Sequence, residues 1–164
     1  MQQQQHQYSA SKQSMHQSRT LLSYAEEQEL VRAFRELIRL ETEVDDYKMR
    51  IGSQPDFNLL DAFNMLDKTS KGWVTAGEIL DVLGEHGSFP HRDEVYLFVR
   101  RYDRDGDGRL LYSEFRDAFT PYDQSVACQI ERRPAYHTER GYNRMQFFAP
   151  ETRQIYLEAF RAHF

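Results

Sequence analysis

Asp103-Arg104-Asp105-Gly106-Asp107-Gly108-Arg109-Leu110-Leu111-Tyr112-Ser113-Glu114 is the stretch on which the reading of this 164-residue chain turns. With Asp103 as position 1, carboxylates fall at 1, 3, 5 and 12, a glycine at 6 and an apolar residue at 8. A hard divalent cation takes six to eight oxygens at about 2.3 to 2.6 Å, and a loop wound around it turns alternate residues inward. The spacing therefore predicts a calcium loop in which Asp103, Asp105 and Asp107 each give one oxygen, Arg109 its backbone carbonyl, Glu114 two oxygens, and water the rest. Gly108 permits the positive φ at which the chain reverses. Asp and Gly are also turn formers on a solvated surface, but turn chemistry gives no reason for Glu114 or Leu110. Leu111 departs from the pattern at position 9, where a polar side chain would hold the water.

One motif length upstream, Asp67-Lys68-Thr69-Ser70-Lys71-Gly72-Trp73-Val74-Thr75-Ala76-Gly77-Glu78 begins 36 residues earlier and keeps Asp at 1, Gly at 6, Val at 8 and Glu at 12. Thr69 and Lys71 replace the carboxylates at positions 3 and 5. An ammonium at position 5 sits where a cation needs an oxygen, so this loop is predicted not to bind calcium. Its expected role is structural. Val74 and Leu110 bridge the loops, and Lys71 neutralises Asp67 or Glu78 in place of a metal. A lone helix-loop-helix leaves an apolar face uncovered, which is why a metal-free copy is retained beside an intact one.

The flanks agree. Phe57, Leu60, Phe63 and Leu66 form one helical stripe, Ile79, Val82 and Leu83 follow a turn, Val95, Phe98, Val99 and Tyr102 form another stripe, and Phe115, Ala118 and Phe119 close the set before Pro121. Ahead of this lies a long amphipathic helix from about residue 24 to 50, with Ala25, Leu30, Ala33, Leu37, Leu40, Val44, Tyr47 and Ile51 recurring at three and four almost throughout. Ser23 and Glu26 have the spacing of a capping box, and Gly52 and Pro55 end the run. Such a helix is about 40 Å long, more than a small core needs, so part of it is expected to pack on something else.

The loop, its metal-poor copy and their flanking stripes resemble the EF-hand superfamily in a calmodulin-like layout, over about 40% of the chain. The resemblance implies an all-α fold of paired EF-hands with a short β-bridge between loops, one intact calcium site and one vestigial. A further likeness, carried by Asp56-Phe57-Asn58-Leu59-Leu60-Asp61-Ala62-Phe63, Asp93-Glu94-Val95-Tyr96-Leu97-Phe98 and Tyr112-Ser113-Glu114-Phe115, is to EF-hand proteins of ciliary axonemes, including those on doublet microtubules. It implies protein partners, tubulin or axonemal proteins among them, and a place in the cytoplasm and cytoskeleton, in particular the cilium axoneme.

The expected organisation is a disordered Gln-rich tail over 1–19, the long helix within 20–52, the EF-hand pair over 53–121, and an extended Arg/Tyr-rich arm plus a C-terminal helix over 122–164. The tail holds seven Gln and four Ser with almost no aliphatic side chain. The arm around Arg132, Arg133, Tyr136, Arg140, Tyr142 and Arg144 suits either docking on a partner or folding onto its own domain. Glu131 and Glu139 interrupt its basic run, and the chain carries a net charge of −5, which argues against nucleic acid. The acidic excess lies in residues 51–120, with eight basic and thirteen acidic groups.

One cysteine, Cys128, excludes an internal disulfide, and no window approaches eighteen apolar residues, so no membrane partner is expected. His86 and His91 stand at a zinc-like interval without a cysteine pair, and no phosphate loop or nucleophile elbow occurs, so no catalytic role is expected. Two functional classes remain. The favoured one is a constitutive assembly component whose groove is filled by its own helix or tail. The other is a calcium-regulated sensor or adaptor that grips a target helix.

Overall fold

The computed structural model describes residues 22–135 and 148–164, so the Gln-rich tail and most of the Arg/Tyr-rich arm lie outside the described residues. The element order is α1 Tyr24–Gly52, α2 Leu59–Leu66, β1 Trp73–Thr75, α3 Ala76–Glu85, α4 Arg92–Tyr102, β2 Arg109–Leu111, α5 Tyr112–Phe119, α6 Gln124–Glu131 and α7 Pro150–Ala162. Helix-strand-helix thus occurs twice, and the all-α paired architecture expected from the sequence is what the chain adopts. The chain divides into two units, residues 1–37 and 38–164.

In the first unit the described residues open α1. Ser23 and Glu26 form the predicted capping box: Glu26 Oε2 accepts the Ser23 amide at 2.7 Å, and Ser23 Oγ accepts the Glu26 amide. Leu30, Val31, Phe34 and Leu37 are all substantially exposed, Phe34 at 55%.

In the second unit, α1 buries Val44, Lys48, Ile51 and Gly52. Gly52 is there because a Cβ would lie 2.6 Å from Ile130 Cδ1 and 2.9 Å from Val126 Cγ1 of α6. The last carbonyl of α1 and two carbonyls of the turn that follows it share one partner. The Arg133 guanidinium donates to the carbonyls of Gly52, Gln54 and Phe57 at 2.6 to 2.9 Å.

Side-chain caps set the phase of the paired hands. Asn58 Oδ1 accepts the Asp61 amide at 2.8 Å, fixing where α2 begins. That phase buries Leu59, Ala62, Phe63 and Leu66, an i, i+3, i+4, i+7 set, and turns Leu60 outward at 40% exposure. The sequence stripe of Phe57, Leu60, Phe63 and Leu66 puts Leu60 on the helix's apolar face because it starts from Phe57, which is buried but lies before the helix. Thr75 with Glu78, and His91 with Glu94, cap α3 and α4.

The reading of 122–164 as an arm plus one helix is also corrected, because the segment opens with α6. Asp123 Oδ1 accepts the amides of Ser125 and Val126, and Ala127 and Ile130 reach the interior. The apolar positions are too few for a clear period over eight residues, so the cap carries the signal. Ala149 has no side chain to cap α7, and Asp56 does so from a distance. Its Oδ2 accepts the Ala149 amide at 2.7 Å and its Oδ1 accepts the Thr152 hydroxyl.

Helix α7 occupies the interior of the pair. Tyr156 and Phe160 are fully buried among Phe57, Phe98, Phe119 and Phe148. The Tyr156 hydroxyl donates to the Ala62 carbonyl of α2 at 3.0 Å, which removes the cost of burying a phenol. Truncating Phe160 to Ala in such a core costs about 3 to 5 kcal/mol.

Candidate metal centre

Both loops are built from the same backbone device. β1 and β2 pair antiparallel with Val74 opposite Leu110, the bridge expected from position 8. Both residues are fully buried, so this short ladder ties the loops together from beneath. At the fourth and sixth positions the backbone is left-handed: Ser70 at φ 56° and Gly72 at 87°, Gly106 at 74° and Gly108 at 79°. Glycine adopts this without penalty, whereas Ser70 does not.

In the loop from Asp103 to Glu114, Asp103 accepts the amides of Gly106 and Gly108, each at 2.8 Å. The Gly108 amide, followed by that of Gly106, holds the Asp103 carboxyl below its ordinary range. Glu114 is 4% exposed, and its two oxygens accept the amides of Arg104 at 2.8 Å and Leu111 at 2.9 Å. Asp105 accepts the Asp107 amide, which lowers its pKa. Desolvation and the charges of Asp107 and Asp103 outweigh that bond and push Asp105 upward.

Oxygens of Asp103, Asp105 and Glu114 lie within 4.8 Å of one another, the one such acidic cluster among the described residues. Asp107 stands apart from that trio, its Oδ1 accepting the Arg109 amide at 2.9 Å. Arg109 sits in β2, with its guanidinium 4.1 Å from the Trp73 ring centroid.

The donor set suits a hard cation. It consists of carboxylates with no nitrogen or sulfur among them, converging where like charges raise the proton affinity of Asp105. Asp103, Asp105 and Glu114 would hold the ion, while Asp107 and the Arg109 carbonyl, expected from the spacing, are not among the convergent oxygens.

The loop from Asp67 to Glu78 repeats this scaffold with a resident charge. Asp67 accepts the amides of Lys71 and Gly72 at 3.0 and 2.7 Å. The Lys71 ammonium lies 2.6 Å from Glu78 Oε1 and 3.6 Å from the Trp73 ring centroid. Of the two acids the sequence offered Lys71, the direct ion pair is with Glu78. Partial burial raises the Glu78 pKa, but Lys71 and Thr75 outweigh it and hold the carboxyl below its ordinary value.

Sequence reasoning gave His163 no role. Its Nε2 donates to the Ala118 carbonyl of α5 at 3.1 Å and its Nδ1 accepts from the Tyr102 hydroxyl of α4 at 3.4 Å. Burial, then the charges of Lys48 and Arg101, lower its pKa to about 3. Its spacing of three from Phe160 was the available signal.

Two helix-loop-helix units joined by a two-stranded bridge, one with convergent carboxylates at positions 1, 3 and 12, define a paired metal-loop domain. Residues 56–120 match the EF-hand domain pair family, and this part of the chain is an EF-hand pair of that superfamily. Troponin C isoform 1 of Drosophila melanogaster is 29% identical over 62 residues, covering 38% of this chain and 40% of that protein. Troponin C isoform 2 of Caenorhabditis elegans is 39% identical over 56 residues, 32% of this chain and 33% of that protein. "Probable calcium-binding protein CML11" of Oryza sativa subsp. japonica is 33% identical over 58 residues, 35% of this chain and 28% of that protein. The chain thus spans between about a quarter and two-fifths of the length of these relatives.

Proposed function

We propose that this chain is a calcium-binding protein with one site, at Asp103, Asp105, Asp107, the Arg109 carbonyl and Glu114, and that it serves as a structural or assembly component of a larger complex. The observation that carries the assembly reading is α7, whose Tyr156 and Phe160 fill the interior between the hands. A sensor needs that space for a target helix. Here it is already taken, so calcium would stiffen the pair rather than open a vacant groove. The exposed Leu30, Val31, Phe34 and Leu37 of α1 supply apolar surface for attachment to another protein. No helix among the described residues is long and apolar enough to cross a membrane. The cytoskeletal setting, with tubulin or axonemal proteins as partners and the cilium axoneme as location, rests on the likeness of the Asp56–Phe63, Asp93–Phe98 and Tyr112–Phe115 phrases to axonemal EF-hand proteins.

Titration with calcium tests this. One equivalent should bind, quench or enhance Trp73 fluorescence, and raise thermal stability by about 2.7 kcal/mol at a hundredfold excess over Kd. Binding of a hydrophobic dye should stay flat. A calcium-induced rise in dye binding would favour the sensor, and affinity capture from ciliated cells that recovers partners only with calcium would do the same. Recovery with and without chelator supports the constitutive component.

A further inference from the structure

The C-terminal helix grips the two helices that enter and leave the calcium loop, close to the loop itself. Phe160 packs on Phe98 of α4 at 5.5 Å and on Phe119 of α5 at 4.7 Å between ring centroids. One turn on, His163 joins the same two helices through the Tyr102 hydroxyl and the Ala118 carbonyl. Tyr102 is the residue before ligand Asp103, and Ala118 lies four residues after ligand Glu114. With these contacts made, the Asp103, Asp105 and Glu114 carboxylates already converge, and Glu114 is already buried.

We propose that α7 is a built-in positive effector of the calcium site: its docking through Phe160 and His163 sets the distance between α4 and α5 at which the loop is ready for the ion. This rests on the calcium site proposed above and gives its regulation a sign. A charged loop held open by mutual repulsion must be gathered before it binds, and a clamp that gathers it beforehand removes that cost. Linkage makes the effect reciprocal, so calcium tightens the seat of α7, and any protein that pulled α7 away would weaken calcium binding. That sign is opposite to a switch in which the ion expels the tail.

The test uses the full chain and three measurements. Calorimetric titration with calcium compares the wild type with the double variant Phe160→Leu, His163→Ala, which keeps an apolar side chain at 160 but removes the ring contacts and both imidazole bonds. Affinity is expected to fall roughly five- to tenfold. Tyr156→Phe is the control. It keeps the ring and loses only the bond to Ala62 of the first hand, so it should lower the melting temperature without changing calcium affinity. Hydrogen exchange on the wild type reads the reciprocal arm, with amides of Ile155 to Phe160 expected to exchange more slowly with calcium, whether or not the double variant folds.

Equal affinities in all three proteins, tighter binding in the double variant, or faster exchange in α7 with calcium would each overturn the proposal. An equal loss in Tyr156→Phe would do so as well, by reducing the effect to general stability. No binding heat in the wild type would instead remove the calcium site, and the coupling with it.

Discussion

In the loop from Asp67 to Glu78 the first carboxylate accepts the amides at positions 5 and 6, and in the loop from Asp103 to Glu114 it accepts those at positions 4 and 6. In both, the glutamate at position 12 reaches back to the backbone at position 9. What separates them is where the positive charge comes from. Lys71 carries it within the first loop, at 2.6 Å from Glu78, while in the second Arg109 reaches only Asp107, at 3.9 Å, and Asp103, Asp105 and Glu114 converge beside it. The difference teaches that the same amide-to-carboxylate bonds wind both loops, and that the residues at positions 3 and 5 decide whether the wound loop holds a tethered charge or is left to take a cation. A tethered ammonium supplies one donor group to one carboxylate, at the cost of leaving nothing to exchange.

The largest test of that contrast removes the last ligand. Glu114→Gln keeps the size of a buried side chain and its acceptor for the Leu111 amide, yet takes one charge and bidentate reach from the site. Calcium affinity should fall on the order of a hundredfold, about 2.8 kcal/mol, and the Trp73 response should vanish at calcium levels that saturate the wild type. The converse exchange converts the first loop. Thr69→Asp with Lys71→Asp should raise the calorimetric stoichiometry from one to two, since the backbone that a ligand set needs is already wound.

Acid separates the hands next. Helix α7 meets the first through Tyr156 and Ala62, a bond that does not titrate near neutrality, and the second through His163 and Ala118. His163 takes up its proton near 6.5 when unfolded and only at about 3 when folded. The unfolded state therefore binds more protons in between, so this stability is whole above about pH 6.5 and is lost as pH falls toward 3. Each pH unit is worth about 1.4 kcal/mol, so roughly 2 kcal/mol should go between pH 6.5 and 5 without calcium. Denaturant melts of His163→Gln should show a markedly flatter profile over that range.

How much of this was legible beforehand follows from where each signal lives. The loops were readable because ligand geometry forces residue types at fixed positions, and the same reasoning gave Val74 opposite Leu110 and a neutralising role for Lys71. The fates of Leu60 and Phe57 were not, because a stripe gives a period and leaves the phase to a cap such as Asn58. The seating of α7 was out of reach for a further reason. Its apolar residues said that it would be buried, but only the fold says that Asp56 caps it from about ninety residues away and that Phe160 meets Phe98 and Phe119.

Backbone strain offers a smaller contrast. Ser70 holds φ 56° where the second loop has Gly106 at 74°. Gly106→Ser transfers that burden to the calcium loop and should cost about 1 kcal/mol of stability, read from the urea midpoint. If the cost were nil, the left-handed fourth position would be neutral for serine, and the two loops would differ in charge alone.

The smallest effect asks how well the ammonium replaces an ion. Lys71 and Glu78 are each a little over a quarter exposed, so water and salt screen the pair, and the tether costs side-chain entropy. Lys71→Met keeps the stem over Trp73 and removes the charge. It should lower stability by only about 0.5 to 1 kcal/mol at low ionic strength, and by less in 1 M salt. The pH profile provides the sign. Glu78 is held below its ordinary value of 4.5, so the pair contributes fully above that pH and fades as pH falls through the lowered value. The variant and wild type should then differ above pH 5 and converge in acid. A difference that persisted at low pH would mean that Lys71 matters through its packing on Trp73, and the first loop would close on an aromatic contact rather than on charge.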